Sequence, residues 1–254
     1  MCSSDLFGGH ETFPIREGWL HKGLRLLIED AGLLVDDNAP DHLGVGQNMA
    51  KSIRHWLVAT GLAQSAQKGR GGKKPDYEPT SLGRLVWKRD RYFVDPGTWW
   101  ALHINLVNNP DHAASWTWFF NSFSSDRFDR PVCLESLARH LQLSKQRLPN
   151  TRTLARDISC LLATYSRPIP EEDSDPEDAH DCPFRELGLL SYFRSSGYYQ
   201  LHRGPKVVPG ELLGYAIAMA FPDAATGKGS ADIARSEEHT SEPSHANISY
   251  AVFC

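Results

Sequence analysis

Apolar positions recur at steps of three and four between Val45 and Leu62. Val45, Met49, Ile53, Trp56 and Leu57, with Thr60 closing the row, share one side of a helix. Gln47, Asn48, Lys51, Arg54 and His55 fall on the other side, with Val58 as the one apolar residue among them. Past Gly61 the chain enters a basic glycine-rich stretch, Lys68 to Lys74, and then Tyr77 to Trp87. Helix, strand, basic loop, strand is the order of a winged helix. A helix with an apolar back and a short basic or amide front is the kind that enters a major groove. The same face also suits a plain solvated helix, and the basic loop beside it tips the reading toward DNA.

The remaining elements follow from the same periodicities. Trp19, Leu20, Leu24, Leu27 and Ile28 give a helix that ends near Gly32, with Thr12 as its expected N-cap and Pro14 in its first turn. Asp95-Pro96 starts another, carrying Trp99, Trp100, Leu102, His103, Leu106 and Val107. Ala114 to Phe123 is a short helix with five aromatic rings, which suit a core joining two parts better than a base-stacking platform, and Ser124 to Arg130 reads as a loop. Leu134, Leu137, Ala138 and Leu141 form one further stripe, and Leu154, Ile158, Leu161 and Tyr165 form the next. Arg152 and Arg156 point away from that last stripe and make a second groove-facing candidate, though a structural helix fits equally well. Residues 189–193 and 198–202 read as a hairpin, and Gly210 to Phe221 as a final helix.

These elements predict a mainly α fold with small β-hairpins (α+β). The expected organisation is a winged-helix-like DNA-binding domain over 1–94 and a helical, winged-helix-like second domain over 95–234. Arg235 to Cys254 has no pattern continuous with what precedes it and reads as translated sequencing-adapter DNA. It is set apart as a non-native tail, with the native chain expected to continue past Ala234.

Composition narrows the function classes. The chain has 254 residues, 41% hydrophobic, enough for a real core. No run of eighteen apolar residues and no basic-then-apolar leader occurs, so a cytoplasmic protein with no membrane span is expected. The five cysteines lack paired spacing, which favours reduced thiols over a disulfide framework. The formal charge is −4, but its distribution matters more. Residues 47–91 hold ten Lys/Arg against three acids, whereas 171–181 hold seven acids and no Lys or Arg. The stretch 170–181 is an acidic insertion that would repel a phosphate backbone.

Three long blocks, FGGHETFPIREGWLHKG, LGVGQNMAKSIRHWLVATGL and YEPTSLGRLVW, resemble the N-terminal blocks of the domain of unknown function 4007 (DUF4007) family. The likeness continues through DPGTWWALHINLVNN and CPFRELGLL. The resemblance implies a bacterial protein encoded among phage-defence genes, often beside DNA phosphorothioation components. The partners it implies are DNA and other defence-system proteins: a cysteine desulfurase, a PAPS-reductase-like protein and an ATPase. One similar protein is regarded as a DNA-nicking component. The resemblance hands over no assigned active site.

Catalytic signatures are sparse. P-loop, dinucleotide-binding, nucleophile-elbow, CxxC and HExxH patterns are missing, and Asp76 and Glu78 lack the rest of a restriction-nuclease pattern. The compact polar cluster is His10, Glu11 and Arg16, a candidate acid–base or metal-assisted site. The competing reading has Glu11 favouring a helix start and His10 capping a turn. No cofactor is evident and no metal ligand set is defined; magnesium or manganese enters only if the protein nicks DNA. The leading reading is a DNA-binding component. Asn48 and Arg54 are expected at base edges, with Gln47 and His55 beside them, and Lys51, Lys68, Arg70, Lys73 and Lys74 on phosphates. The alternatives are a metal-dependent nickase using the His10–Glu11 region and a winged-helix transcriptional regulator.

Overall fold

In the computed structural model, which describes residues 6–67, 76–144, 149–169, 182–206 and 208–220, the core begins with two helices packed against each other. Helix α1 (Trp19–Glu29) buries Trp19, Leu20, Leu24 and Leu27. After the short helices α2 (Ala31–Val35) and α3 (Ala39–Leu43) comes α4 (Gln47–Ala59), which buries Ile53, Trp56 and Leu57. Gly23 lets the two approach. A Cβ there would lie 2.6 Å from Ile53 Cγ2, so any larger residue would push the helices apart. The expected stripe holds, with Val45 and Met49 packed partly buried at its outer end.

The expected start of α1 does not hold. The helix begins at Trp19 behind Gly18, and the chain before it makes tight turns at 8–11, 10–13 and 16–19. Thr12 has φ 72°, a left-handed conformation, whereas an N-cap residue needs extended backbone. At the other end α1 stops at Glu29 rather than near Gly32. The Asp30 side chain accepts the Gly32 amide at 2.9 Å and starts α2 instead.

Strands β1 (Ala63–Gln67) and β2 (Asp76–Pro79) pair antiparallel, with Ala63 opposite Pro79. Helix α5 (Ser81–Arg89) follows, its Thr80 cap accepting the Gly83 amide at 3.0 Å. Helix α6 (Pro96–Val107) starts as its Asp-Pro signal predicts, with Asp95 accepting the Gly97 amide at 2.8 Å. Helix α7 (Pro110–Asn121) is longer than its aromatic run suggested and kinks at Ala113. Trp116, Phe119 and Phe120 are all buried, so these rings are core.

Residues 127–128, expected in a loop, form the short strand β3 (Arg127–Phe128), and α8 (Arg130–Leu143) and α9 (Thr151–Tyr165) follow. Strands β4 (Ser166–Ile169), β5 (Leu190–Phe193) and β6 (Tyr198–Leu201) complete a sheet of order β3-β6-β5-β4. β5 and β6 are the expected hairpin, but β4 joins β5 in parallel, which makes the sheet mixed. A 3-10 turn, Pro183–Leu187, precedes β5, and α10 (Gly210–Ala220) packs on α6 through Ala216 and Ile104. The fold is mainly helical with small sheets. One cluster of buried side chains runs from Phe7 to Leu201 and includes residues from α1, α4, α6, α7, α8 and α9. No helix among the described residues is long and apolar enough to cross a membrane.

Candidate nucleic-acid interface

The outer side of α4 divides into two. Gln47, Asn48 and Lys51 are exposed over its first turns. No side chain caps the helix at Gly46. Lys51 Nζ approaches Glu11 at 3.9 Å, a loose surface pair of little energetic weight. Further along, the face turns inward. Arg54 is half-buried and donates from Nη1 to the Leu34 carbonyl at 3.1 Å, tying α4 to α2.

His55 turns inward too. Its ring lies against Gly9, where a Cβ would come within 2.5 Å of Nδ1, and edge-on to Trp56 and His10. Its Nε2 is buried without a hydrogen-bond partner among the described residues. Burial above all, with the nearby His10 and His112, lowers its pKa to about 3, so the ring stays neutral at ordinary pH.

A cleft of about 480 Å³ opens beside α4, lined by Gln47, Lys51 and Arg54 on one side and by Val35, Asp36, Asp37 and Tyr77 on the other. It brings the predicted cations together but sets two carboxylates opposite them. Asp36 accepts the Asp37 amide at 2.6 Å, which fixes that side of the cleft. The mixed charge weakens the pull on a phosphate inside the cleft, which Gln47 and Lys51 share with these carboxylates while Asn48 lies outside its lining.

The His10 cluster is organised differently. His10 is 1% exposed, and both of its ring nitrogens are engaged. The Thr12 amide donates to Nδ1 at 3.0 Å, which leaves Nε2 to carry the proton and donate to Asp157 Oδ1 at 2.9 Å. Asp157 also accepts the Gly8 amide at 2.8 Å on Oδ1 and the Ser115 hydroxyl at 2.7 Å on Oδ2. Three donors from the N-terminal loop and α7 thus converge on one carboxylate of α9. Trp56 stacks on the His10 ring at 6.2 Å and Trp116 meets it edge-on at 5.6 Å. His10 does cap a turn, but from within the core.

Glu11 and Arg16 do not share that site. Glu11 faces Lys51, while the Arg16 guanidinium lies over the rings of Phe13 and Trp19 at 5.6 and 5.4 Å. The cluster therefore presents one surface carboxylate, one sealed imidazole and one ring-bound cation. That set does not fit a divalent-cation site, which needs converging oxygen ligands. Nor do three His, Cys, Asp or Glu side chains gather elsewhere among the described residues.

Arg152 and Arg156 are exposed on α9 as expected. Lys68, Arg70, Lys73 and Lys74, the acidic stretch 170–181 and the tail from 235 onward lie outside the described residues. Asp157 was missed in the sequence, although its signal was there: it falls three residues after Leu154 and four before Leu161, a carboxylate inside an apolar stripe.

Comparison with known proteins places this geometry in context. The profile of the family described as "Protein of unknown function (DUF4007)" matches residues 7–246, a span that runs into the stretch set apart as a tail. Among curated proteins none matches. A crystal structure of SspB is similar at a TM-score of 0.72 with 30% identity, and a magnesium ion-bound SspB crystal structure at 0.72 with 29%. Each similarity covers 82% of this chain and 63% of the other, so the chain spans less than two thirds of that protein's length.

Proposed function

The chain belongs to the DUF4007 family, and from that premise we propose that it is a DNA-binding component of a bacterial phage-defence or DNA phosphorothioate-modification system. In this reading α4 is the groove-facing helix of a winged helix and β1–β2 is the stem of its wing. The observation that carries it is the first half of α4: Gln47, Asn48 and Lys51 stand exposed on a helix whose other side is locked by Ile53, Trp56 and Leu57. Asn48 and Gln47 supply amide groups for base edges, and Lys51 supplies charge for a phosphate. Arg54, tied to the Leu34 carbonyl, orients the helix. Lys68, Arg70, Lys73 and Lys74 join the two strands in sequence and are assigned phosphate contacts by their charge. The partners in this reading are DNA and the desulfurase, reductase-like and ATPase proteins of the same system.

The test is duplex binding by Lys51→Glu across a salt series. Affinity is expected to fall about tenfold and the salt slope by about one phosphate contact. An unchanged affinity and slope would remove α4 from the DNA face.

A second reading, metal-dependent nicking, is favoured by the magnesium ion in the SspB structure. It needs carboxylates beyond Glu11, because His10 is sealed against Asp157. Supercoiled plasmid that stays closed with magnesium or manganese would exclude it for this chain.

A further inference from the structure

Trp116, Phe119 and Phe120 are buried, but another row of rings runs out to the surface. The His21 ring on α1 stacks on Trp87 of α5, with 5.8 Å between centroids and 22° between planes. It also stacks on Tyr92, in the turn before α6, at 5.0 Å and 27°. Tyr92 is the end of this row. It is 69% exposed, and His21 is the ring it meets among the described residues, so the rest of its surface is left to solvent. A lone exposed tyrosine is ordinary, whereas one backed by a stack of rings is a surface on which another flat ring can lie.

The turn that carries Tyr92 is held on several sides. The Asp90 carboxylate accepts the Val94 amide at 2.9 Å and the Asp95 amide at 3.1 Å. The Trp99 indole donates to the Phe93 carbonyl at 2.9 Å, and the Phe93 ring is buried. Phe93 has φ 57°, a left-handed conformation that a bulky residue keeps only where its surroundings impose it. His21 Nδ1 donates to the Arg91 carbonyl at 2.7 Å, which ties the middle ring to the same turn. A platform fixed in this way has little freedom left to lose on binding.

The setting is cationic. Residues 84–92 carry four Lys/Arg and one acid, Asp90, whose carboxylate is taken up by the two amides. Asp95, the next acid along, accepts the Gly97 amide. The Arg91 guanidinium lies over the Trp87 ring at 5.3 Å. Arg84, Lys88 and Arg89 are exposed, and none of the three enters an ion pair among the described residues. On α1, Lys22 and Arg25 follow His21, and Glu17 precedes it.

We propose that Tyr92 is a stacking platform for an unpaired base of a single DNA strand, with Lys88 and Arg89 on the flanking phosphates. Stacked rings beside unpaired cations are the combination that holds a single strand: the ring takes the base and the cations take the backbone. In a duplex the faces of the bases are covered by their neighbours, so an exposed ring favours a base that has left the helix. The inference takes DNA as ligand from the reading above and rests, for its site, on residues outside α4 and β1–β2.

The experiment uses the full chain, a short single strand carrying 2-aminopurine, whose emission falls when it stacks, and a duplex of the same sequence. Tyr92→Ala is expected to lower single-strand affinity about tenfold and to change duplex affinity by less than about twofold. It should also restore the 2-aminopurine emission and leave the salt slope unchanged, because no phosphate contact is lost. Tyr92→Phe keeps the ring and is expected to keep the affinity. Lys88→Gln with Arg89→Gln should remove about two phosphate contacts from the slope. An unchanged single-strand affinity in Tyr92→Ala overturns the proposal. An equal loss in Tyr92→Phe would give the contact to the hydroxyl and overturn the stacking. An equal loss on the duplex would overturn the choice of an unpaired base. A Tyr92-dependent dimer in sedimentation, with no strand bound, would give the ring to a second copy of the chain and overturn the proposal. Loss of duplex affinity in Lys51→Glu, with strand affinity intact in Tyr92→Ala, would uphold α4 and overturn this site. The reverse pattern would uphold this site and overturn α4.

Discussion

The loop around His10 and the first turns of α4 look alike as sequence. Each is a short polar stretch beside glycine, and each was a candidate for chemistry or contact. The fold treats them in opposite ways. His10 is 1% exposed and closes on a carboxylate 147 residues away. Gln47, Asn48 and Lys51 stay exposed, with the 3.9 Å approach to Glu11 as the ion pair formed on that face. Polar character therefore does not nominate a site by itself. A polar group whose partners lie inside the protein holds the fold, and one left facing water is available to a ligand.

The sharpest break of this contrast is Asp157→Ala. It strands the Gly8 amide, the His10 Nε2 proton and the Ser115 hydroxyl, and should cost about 3–5 kcal/mol in urea denaturation. A loss below about 1 kcal/mol would mean that the cluster does not hold the N-terminal loop.

A milder test is acidity. His55 and His103 both have pKa values lowered to about 3, in each case chiefly by burial. Between that value and the unfolded value near 6.5 the unfolded chain binds more protons than the folded one. Stability is thus fully present above about pH 6.5 and falls with acidification, by about 1.4 kcal/mol per pH unit for each ring. Thermal melts at pH 7.5, 6 and 5 read this directly, and a flat profile would mean that both rings are wet.

On the exposed side the expected effect is the smallest. Asn48→Ala should leave stability within about 0.5 kcal/mol while weakening DNA, and a large loss of stability would erase the distinction.

Much of the helical frame was legible because long amphipathic helices announce themselves. Ile53, Trp56 and Leu57 in α4, and Leu154, Ile158 and Leu161 in α9, repeat often enough to fix a face. The hairpin of β5 and β6 was equally plain, since its strands are adjacent in sequence. Helices α2 and α3, with five residues each, are too short to show a period. Strand β4 carries Pro168 and pairs with β5 across more than twenty residues, so neither composition nor proximity marks it. At the site, exposure of Gln47, Asn48 and Lys51 followed from the helical wheel. The inward turn of His55 did not, because the surface it meets belongs to Gly9, far back in the chain.

The reach of the His10–Asp157 bond also sets an order of events during synthesis. The loop that needs the carboxylate is made first, and α9 is made 147 residues later. At typical elongation rates that is a wait of about 7–30 s. Until then the Gly8 amide and the His10 ring must be satisfied by water. The loop around His10 therefore reaches its final place only after α9 has emerged.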